Sequence, residues 1–435
     1  MSGLVIQNGI VFTGSEVLAP AGVVVEGDRI AQVAPDPPTN ETPVLDAAGC
    51  LVTPGLINAH THIYSALARG IRLKDPAPAN FVQILEHLWW RLDAALAIED
   101  IDLSARLHAL ECLRFGVTTI FDHHASQREI PGSLRALSRA LADSGLRASL
   151  CYEVSDREGS DAARAGIEEN ASFISEAAGD PLRHACFGLH ASMTLSDETL
   201  RSCVAAVDPD QTGFHVHIAE DRADQEDAQA RYGMRVVERF ERAGILGPRT
   251  LCVHGVHLDD REIEILARTR SWLVHCPESN MNNAVGTASL DRLKKGGVRV
   301  ALGTDGFTAH LLREALVAHL LQSSLAEDPR GGYATVPPLP FAANASLASE
   351  AFGVELGVVK PGAAADLVVW DYIPPTPIAA DNLWGHLLFG LVNARARDVV
   401  IAGRHVWRDG RPAAGDEAEL AERCARAAEK LGERL

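Results

Sequence analysis

Eight short apolar segments, each beside a helix-length stretch, run through the middle of this chain: LINAHTH, GVTTIFDHH, LRASLCYEV, RHACFGLH, GFHVHIAE, RTLCVHGV, SWLVHCP and GVRVALGTD. That alternation is the rhythm of a parallel β/α fold. Eight is also the number of strands that a closed barrel needs. An α/β architecture built on a (β/α)8 TIM-type barrel is therefore expected over residues 55–357.

The two ends of the chain read differently. LVIQNGIVFTG, GVVVEGDRIAQVAP and PVLDAAGCLVTPG at the start, and KPGAAADLVVWD and ARDVVIAGRHVWRDGR near the finish, alternate apolar and polar residues between glycine and proline turns. Each fragment is too short for a core of its own. Residues 1–54 and 358–435 are expected to pair as one small β-sandwich domain. From about 416 to 435, alanine, leucine and charge recur at helical spacing, which predicts a surface helix packed on one face.

With 435 residues, 47% of them hydrophobic and 23% charged, the chain has the apolar content for a large core. Its formal net charge of -18 sets its field against phosphate backbones and anionic lipid surfaces. Neither nucleic acid nor membrane is expected as a partner. The sequence holds no apolar stretch of membrane-spanning length and starts MSGLVIQNG, without a basic segment followed by an apolar run. A cytoplasmic protein is the expectation. The eight cysteines are scattered without a C-x-x-C pair, so reduced core thiols are expected.

Chemistry gathers at the ends of the expected strands. His60 and His62 are one residue apart at the end of LVTPGLINAHTH, so on a strand both imidazoles face the same way. Two neutral nitrogen ligands side by side suit zinc or iron. GFHVHIAE contributes His215 and His217, with Glu220 three residues beyond, a ligand and a proton-transfer group in one segment. VHGVH places His254 at a strand end, and VALGTDG ends its apolar run on Asp305. Singly, each has a plain structural explanation, such as a satisfied core histidine or a helix-capping aspartate. Jointly they match the rule that catalytic residues in barrels come from the C-terminal ends of different strands.

PGLINAHTH, HIAE, VHGVH, HCPESNMNN, LGTDG and KPGAAADLVVWD resemble the signature set of the amidohydrolase superfamily, in its aminohydrolase and chlorohydrolase branch. LWWRLDAAL, FDHHAS, ESNMNNAVG and PTPIAADNLWGH further resemble the SsnA-type aminohydrolases. The resemblance implies that His60, His62, His217 and Asp305 bind a divalent metal, with zinc expected and iron the alternative. It implies that Glu220, His254 and Asp305 act on water and substrate, and that His190 in FGLHASM touches the substrate. Binuclear relatives bridge their metals with a lysine from the fourth strand. Lysines here stand only at Lys74, Lys294, Lys295, Lys360 and Lys430, and RHACFGLHASM offers no carboxylate instead. One metal per chain follows.

The reaction so implied is hydrolytic deamination of a nitrogen heterocycle such as a purine, a pterin or an aminotriazine. Asp305 would accept a proton from water, His254 would orient the attack, and Glu220 would donate to a ring nitrogen. That assigns opposite protonation states to two carboxylates, which requires different environments. Hydrolysis of a carbon-chlorine bond or a cyclic amide would use similar ligands, and an inactive scaffold is the remote alternative. The cytidine-deaminase type is set aside, because Cys276 and Pro277 lack its P-C-x-x-C pattern. Trp90, with Trp89, either walls a flat substrate or packs a helix onto the barrel. His124 is a further candidate substrate contact, and His123 and His124 both fall near the barrel mouth. Glu278 in HCPESN reads as a substrate-facing carboxylate or as half of a surface ion pair. A homo-oligomer, dimeric or higher, fits the family.

Overall fold

A computed structural model describes residues 3–39, 42–72, 74–208, 210–306 and 308–435. The expected parallel strands form where the apolar segments lie. Leu56–Thr61, Val117–His124, Arg147–Tyr152 and Arg183–Ala185 make a four-stranded sheet in that order. Phe187–Ala191, Phe214–Ile218, Leu251–His254, Trp272–His275 and Arg299–Leu302 make a five-stranded one. Every pairing within both sheets is parallel. Nearly all their residues are buried, as strands covered on both faces must be. The RHACFGLH segment is one strand by pattern but two here, divided at Cys186, with one piece in each sheet.

Two further contacts join the sheets. Val154 bridges Leu189 in parallel, with His190 N donating to Val154 O at 3.0 Å. Thr61 bridges Asp305, and the Thr304 and Asp305 amides both donate to His60 O at 3.0 Å. Strand Leu56–Thr61 is thus bonded to the residues just after Arg299–Leu302, and the residues just after Arg147–Tyr152 are bonded to Phe187–Ala191. Gly303 permits the second seam: a Cβ there would lie 2.8 Å from His60 N.

Strands from the two chain ends do pair. A nine-stranded sheet runs Arg411–Pro412, Arg404–Arg408, Ala396–Ile401, Leu367–Trp370, Leu51–Pro54, Gly3–Phe12, Val17–Glu26 and Arg29–Ala34, with Val44–Asp46 also paired to Gly3–Phe12. The ends meet where Leu51–Pro54 runs antiparallel to Leu367–Trp370. Leu4, Ile6, Val23, Val25, Ile30, Val52, Leu367 and Val369 share a core of their own. Gly55 then carries the chain into the parallel strands; a Cβ at that position would sit 2.1 Å from Thr118 Oγ1. A buried ion pair, Arg147 Nε to Asp366 Oδ2 at 3.0 Å, ties the two regions together.

The terminal helix, Glu417–Arg434, is amphipathic as expected, and its partner is helix Ile98–Arg114. Cys424, Ala427 and Leu431 are its buried face. Arg434 reaches Asp100 and Glu417 reaches Arg114, so polar contacts flank that face. All eight cysteines are buried and unpaired, as their apolar settings imply. Among the described residues, no helix is long and apolar enough to cross a membrane.

Candidate active site

The parallel strands bring His60, His62, His217, Glu220, His254 and Asp305 into one cluster, although more than 240 residues separate its extremes. His62 Nε2 lies 3.2 Å from Asp305 Oδ1, and His60 Nε2 lies 3.5 Å from the same oxygen. His217 Nε2 is 3.3 Å from His62 Nε2. His254 Nε2 stands 3.3 Å from Glu220 Oε2 and 3.8 Å from Asp305 Oδ2. His254 and Asp305 hold left-handed backbone, φ 73° and φ 58°, which costs a side-chain-bearing residue about 1–3 kcal/mol each. Such strain persists where the surrounding structure over-determines the geometry.

The second nitrogen of each imidazole is occupied. His62 Nδ1 donates to His123 O at 2.6 Å and His217 Nδ1 to His190 O at 2.9 Å. Both bonds leave Nε2 as the lone-pair nitrogen, so two acceptors face each other across 3.3 Å. Only a positive charge relieves that contact. His60 Nε2 is buried and has no hydrogen-bond partner. Three imidazole nitrogens and a carboxylate with this convergence fit a divalent cation.

Charge balance at the cluster shows the same demand. Burial works to lower the His62 pKa, but its hydrogen bond to Asp305, with the charges of Asp305 and Glu153, raises it to about 9. A proton there takes the place of a cation. Burial holds His60 down at about 3. Burial works to raise Asp305, but the His60 and His62 imidazoles beside it outweigh that and hold its carboxyl well below the usual carboxylate range. Glu220 is shifted the other way: burial raises it, and the nearby His254 offsets that only in part. The two carboxylates thus have the opposed environments that acid-base division of labour requires.

A short helix, Pro277–Asn282, with the residue after it, holds three of these groups from one side. Ser279 Oγ donates to Asp305 Oδ2 at 2.5 Å, His254 Nδ1 donates to Asn280 Oδ1 at 2.8 Å, and Asn283 Nδ2 donates to Glu220 Oε1 at 3.2 Å. Glu278, on the same helix, pairs with Arg313 at 2.5 Å and is not on the cavity wall. The ion-pair reading of that residue holds.

The cavity over the cluster is walled by Tyr64, Phe81, Leu85, Trp89, Trp90 and Met193, with Asp93, Glu153, His190 and Asp224 among its polar lining. Trp89 lies over His62, ring centroids 6.4 Å apart, and Trp90 over His190 at the same separation. A turn of π-helix, Leu85–Trp89, between helical stretches Phe81–Ile84 and Trp90–Ala95 directs both indoles to the cavity. His190 and Trp90 both line this cavity. His124 does not: it is fully buried, bonded through Nε2 to Ser126 Oγ at 2.9 Å and packed on Tyr64, away from the cavity lining. Successive strand residues face opposite ways, and here His123 takes the inner position.

Asp93 and Glu153 of the wall carry no expectation from sequence, and neither does Arg157, which joins them from behind. Arg157 bonds Asp93 at 3.0 Å and Glu153 at 2.8 Å, and Glu153 Oε2 is 3.3 Å from His123 Nδ1. Burial pushes Asp93 up to about 6 despite Arg157. Burial works the same way on Glu153, but His190, His123 and Arg157 outweigh it and hold that carboxyl well below the usual range. The signals were present. Glu153 falls at the end of its apolar strand segment, one residue before the close of LRASLCYEV, much as Asp305 follows its own apolar run, and Asp93 lies three and four residues from Trp90 and Trp89, on one helix face.

Residues 51–406 match the model of the amidohydrolase family. The chain belongs to that family. It is 31% identical to a 5'-deoxyadenosine deaminase of Methanothermobacter thermautotrophicus, over 92% of this chain and 93% of that one. A 5-methylthioadenosine/S-adenosylhomocysteine deaminase of Haloarcula marismortui is 32% identical over 98% and 99%. The fold matches an adenosine deaminase from Xanthomonas campestris with bound zinc, TM-score 0.86 at 24% identity, covering 99% and 98% of the two chains. It also matches an atrazine chlorohydrolase from Arthrobacter aurescens complexed with zinc, TM-score 0.82 at 21% identity over 99% and 100%. The protein is thus a hydrolase acting on carbon-nitrogen bonds other than peptide bonds, as the resemblance of its motifs implied.

Proposed function

We propose that the protein is a zinc-dependent deaminase whose substrate is an amino-substituted purine, with adenine nucleosides as the favoured class. The observation that carries this reading is the pair of carboxylates flanking His254, Glu220 at 3.3 Å and Asp305 at 3.8 Å, one raised and one lowered in pKa. The nucleoside preference draws on the deaminase relatives. The parallel strands are read as an eight-stranded barrel over residues 55–357, and the end sheet as a separate β-sandwich domain.

In this reading His60, His62, His217 and Asp305 hold one zinc ion. A divalent cation there supplies a lowered pKa for water, from 15.7 toward about 7, and stabilises charge that develops at the attacked centre. The chain's own residues do the rest. Asp305, ionised, takes up the proton of the attacking water. His254, set between the two carboxylates, orients the attacking oxygen. Glu220, protonated, donates to the ring nitrogen beside the attacked carbon, so the tetrahedral adduct is neutral. The proton on Asp305 then passes to the amino nitrogen, ammonia leaves, and the adduct hydroxyl returns its proton to Glu220 as the carbon becomes a carbonyl. Trp90 and His190 stack against the flat ring. Asp93, whose Oδ1 lacks a partner, accepts a hydroxyl of the sugar.

Ammonia release tests the reading. Zinc-loaded protein is offered 5'-deoxyadenosine, methylthioadenosine, guanine, pterins and aminotriazines, and ammonia from the adenine nucleosides is expected. Ammonia from another ring class only would move the substrate, and none from any aminated ring would overturn deamination.

A further inference from the structure

His62 and His217 lean on main-chain carbonyls, and His254 leans on an amide side chain. His60 differs. Its Nδ1 lies 2.9 Å from His215 Nε2, and both rings are almost completely buried. Two imidazoles in that contact must share one proton, and which ring carries it decides what His60 can offer on its other side.

Three distances decide it. His215 Nδ1 is 3.8 Å from Cys151 Sγ, within hydrogen-bonding range for sulfur, and Cys151 Sγ is 3.4 Å from Asp122 O. A carbonyl only accepts, so the thiol hydrogen belongs to Asp122 O. The sulfur is then the acceptor for His215 Nδ1–H. With its proton on Nδ1, neutral His215 presents a bare Nε2, which accepts from His60 Nδ1–H. His60 Nε2 is left as a lone pair, buried, unpartnered and directed at Asp305.

We propose that His215 is a positioning residue for the site: it fixes His60 in the Nδ1–H tautomer that turns a lone pair to the cation, and Cys151 in turn fixes His215. The inner histidines of the two H-x-H pairs, His60 and His215, thus have different tasks despite the same spacing. One is a ligand and the other sets the ligand's proton. The inference rests on the reading of His60 as a ligand. Partners behind metal-bound histidines are worth about 10- to 100-fold in metal affinity.

The test is zinc affinity, by chelator competition, of metal-stripped parent, His215→Gln, His215→Phe and Cys151→Ser. A glutamine amide oxygen can reach the place of Nε2 and still accept from His60. His215→Phe is expected to bind zinc about 10- to 100-fold more weakly than the parent, with His215→Gln recovering most of the loss and Cys151→Ser close to the parent. Parental affinity in His215→Phe overturns the proposal. If that variant does not fold, histidine 15N spectra of the zinc-loaded parent decide: a protonated His215 Nε2 overturns the proposal, a bare one sustains it. A parent that binds no zinc at all would instead sink the reading of the site as a metal centre.

Discussion

Glu220 is the residue whose chemistry is most exposed to test. Its carboxyl is buried, raised in pKa and held by Asn283, so a neutral amide of the same shape should keep the fold and the metal while removing the transferable proton. Glu220→Gln is expected to lower kcat by about 10²- to 10⁴-fold with unchanged zinc content. A smaller change would take general acid catalysis away from this residue. Asp93 makes a different prediction because it lines the wall and is not part of the cluster. Asp93→Asn should raise KM for adenosine far more than for free adenine, measured by ammonia release from each. Equal effects on both would show that Asp93 supports the fold of the wall and does not recognise a sugar.

At the scale of elements, the short helix Pro277–Asn282 links sequence to catalysis most directly. Ser279 and Asn280, with Asn283 just after, reach Asp305, His254 and Glu220 in turn, so HCPESNMNN is legible as a rack for groups on three other segments. Asn280→Ala removes the acceptor that orients His254 and is expected to cost about 10- to 100-fold in kcat, with zinc affinity unmoved because His254 is not a proposed ligand. The junction between the two sheet systems is a second case. Arg147 and Asp366 are 3% and 2% exposed, so Asp366→Ala strands a buried guanidinium. A loss of about 3–5 kcal/mol in unfolding free energy is expected, read from the denaturant midpoint.

For the whole molecule, metal and pH are linked. The folded, metal-free protein holds His62 at about 9, above an ordinary histidine near 6.5. A raised folded pKa contributes stability that is fully present below the unfolded value and is lost as pH rises through the folded one. Metal-stripped protein should therefore lose stability between about pH 6.5 and 9. Zinc replaces that proton and binds deprotonated ligands, so the loaded protein should not. The difference in Tm between loaded and stripped protein is expected to widen over this window. A difference that stays constant would mean that His62 carries no proton for the metal to displace.

Local patterning was enough for the strand positions, for the pairing of the two chain ends and for the metal-centre candidates, because period, turn residues and strand-end side chains are properties of neighbouring residues. His60, His62, His217 and Asp305 stand together as their shared position at strand ends implied. Long-range packing settled the remainder. Whether His123 or His124 faces inward depends on the twist and register of its strand against two neighbours, and His124 turned away. Asp93, Glu153 and Arg157 form one ion-pair cluster only because a helix and a strand end, 60 residues apart, converge there. The tautomer of His60 is set by Cys151 and His215, which no spacing rule connects. Hydrophobic periodicity specifies which face of an element is buried, but the partner that meets each polar atom is chosen by the packing of the whole chain.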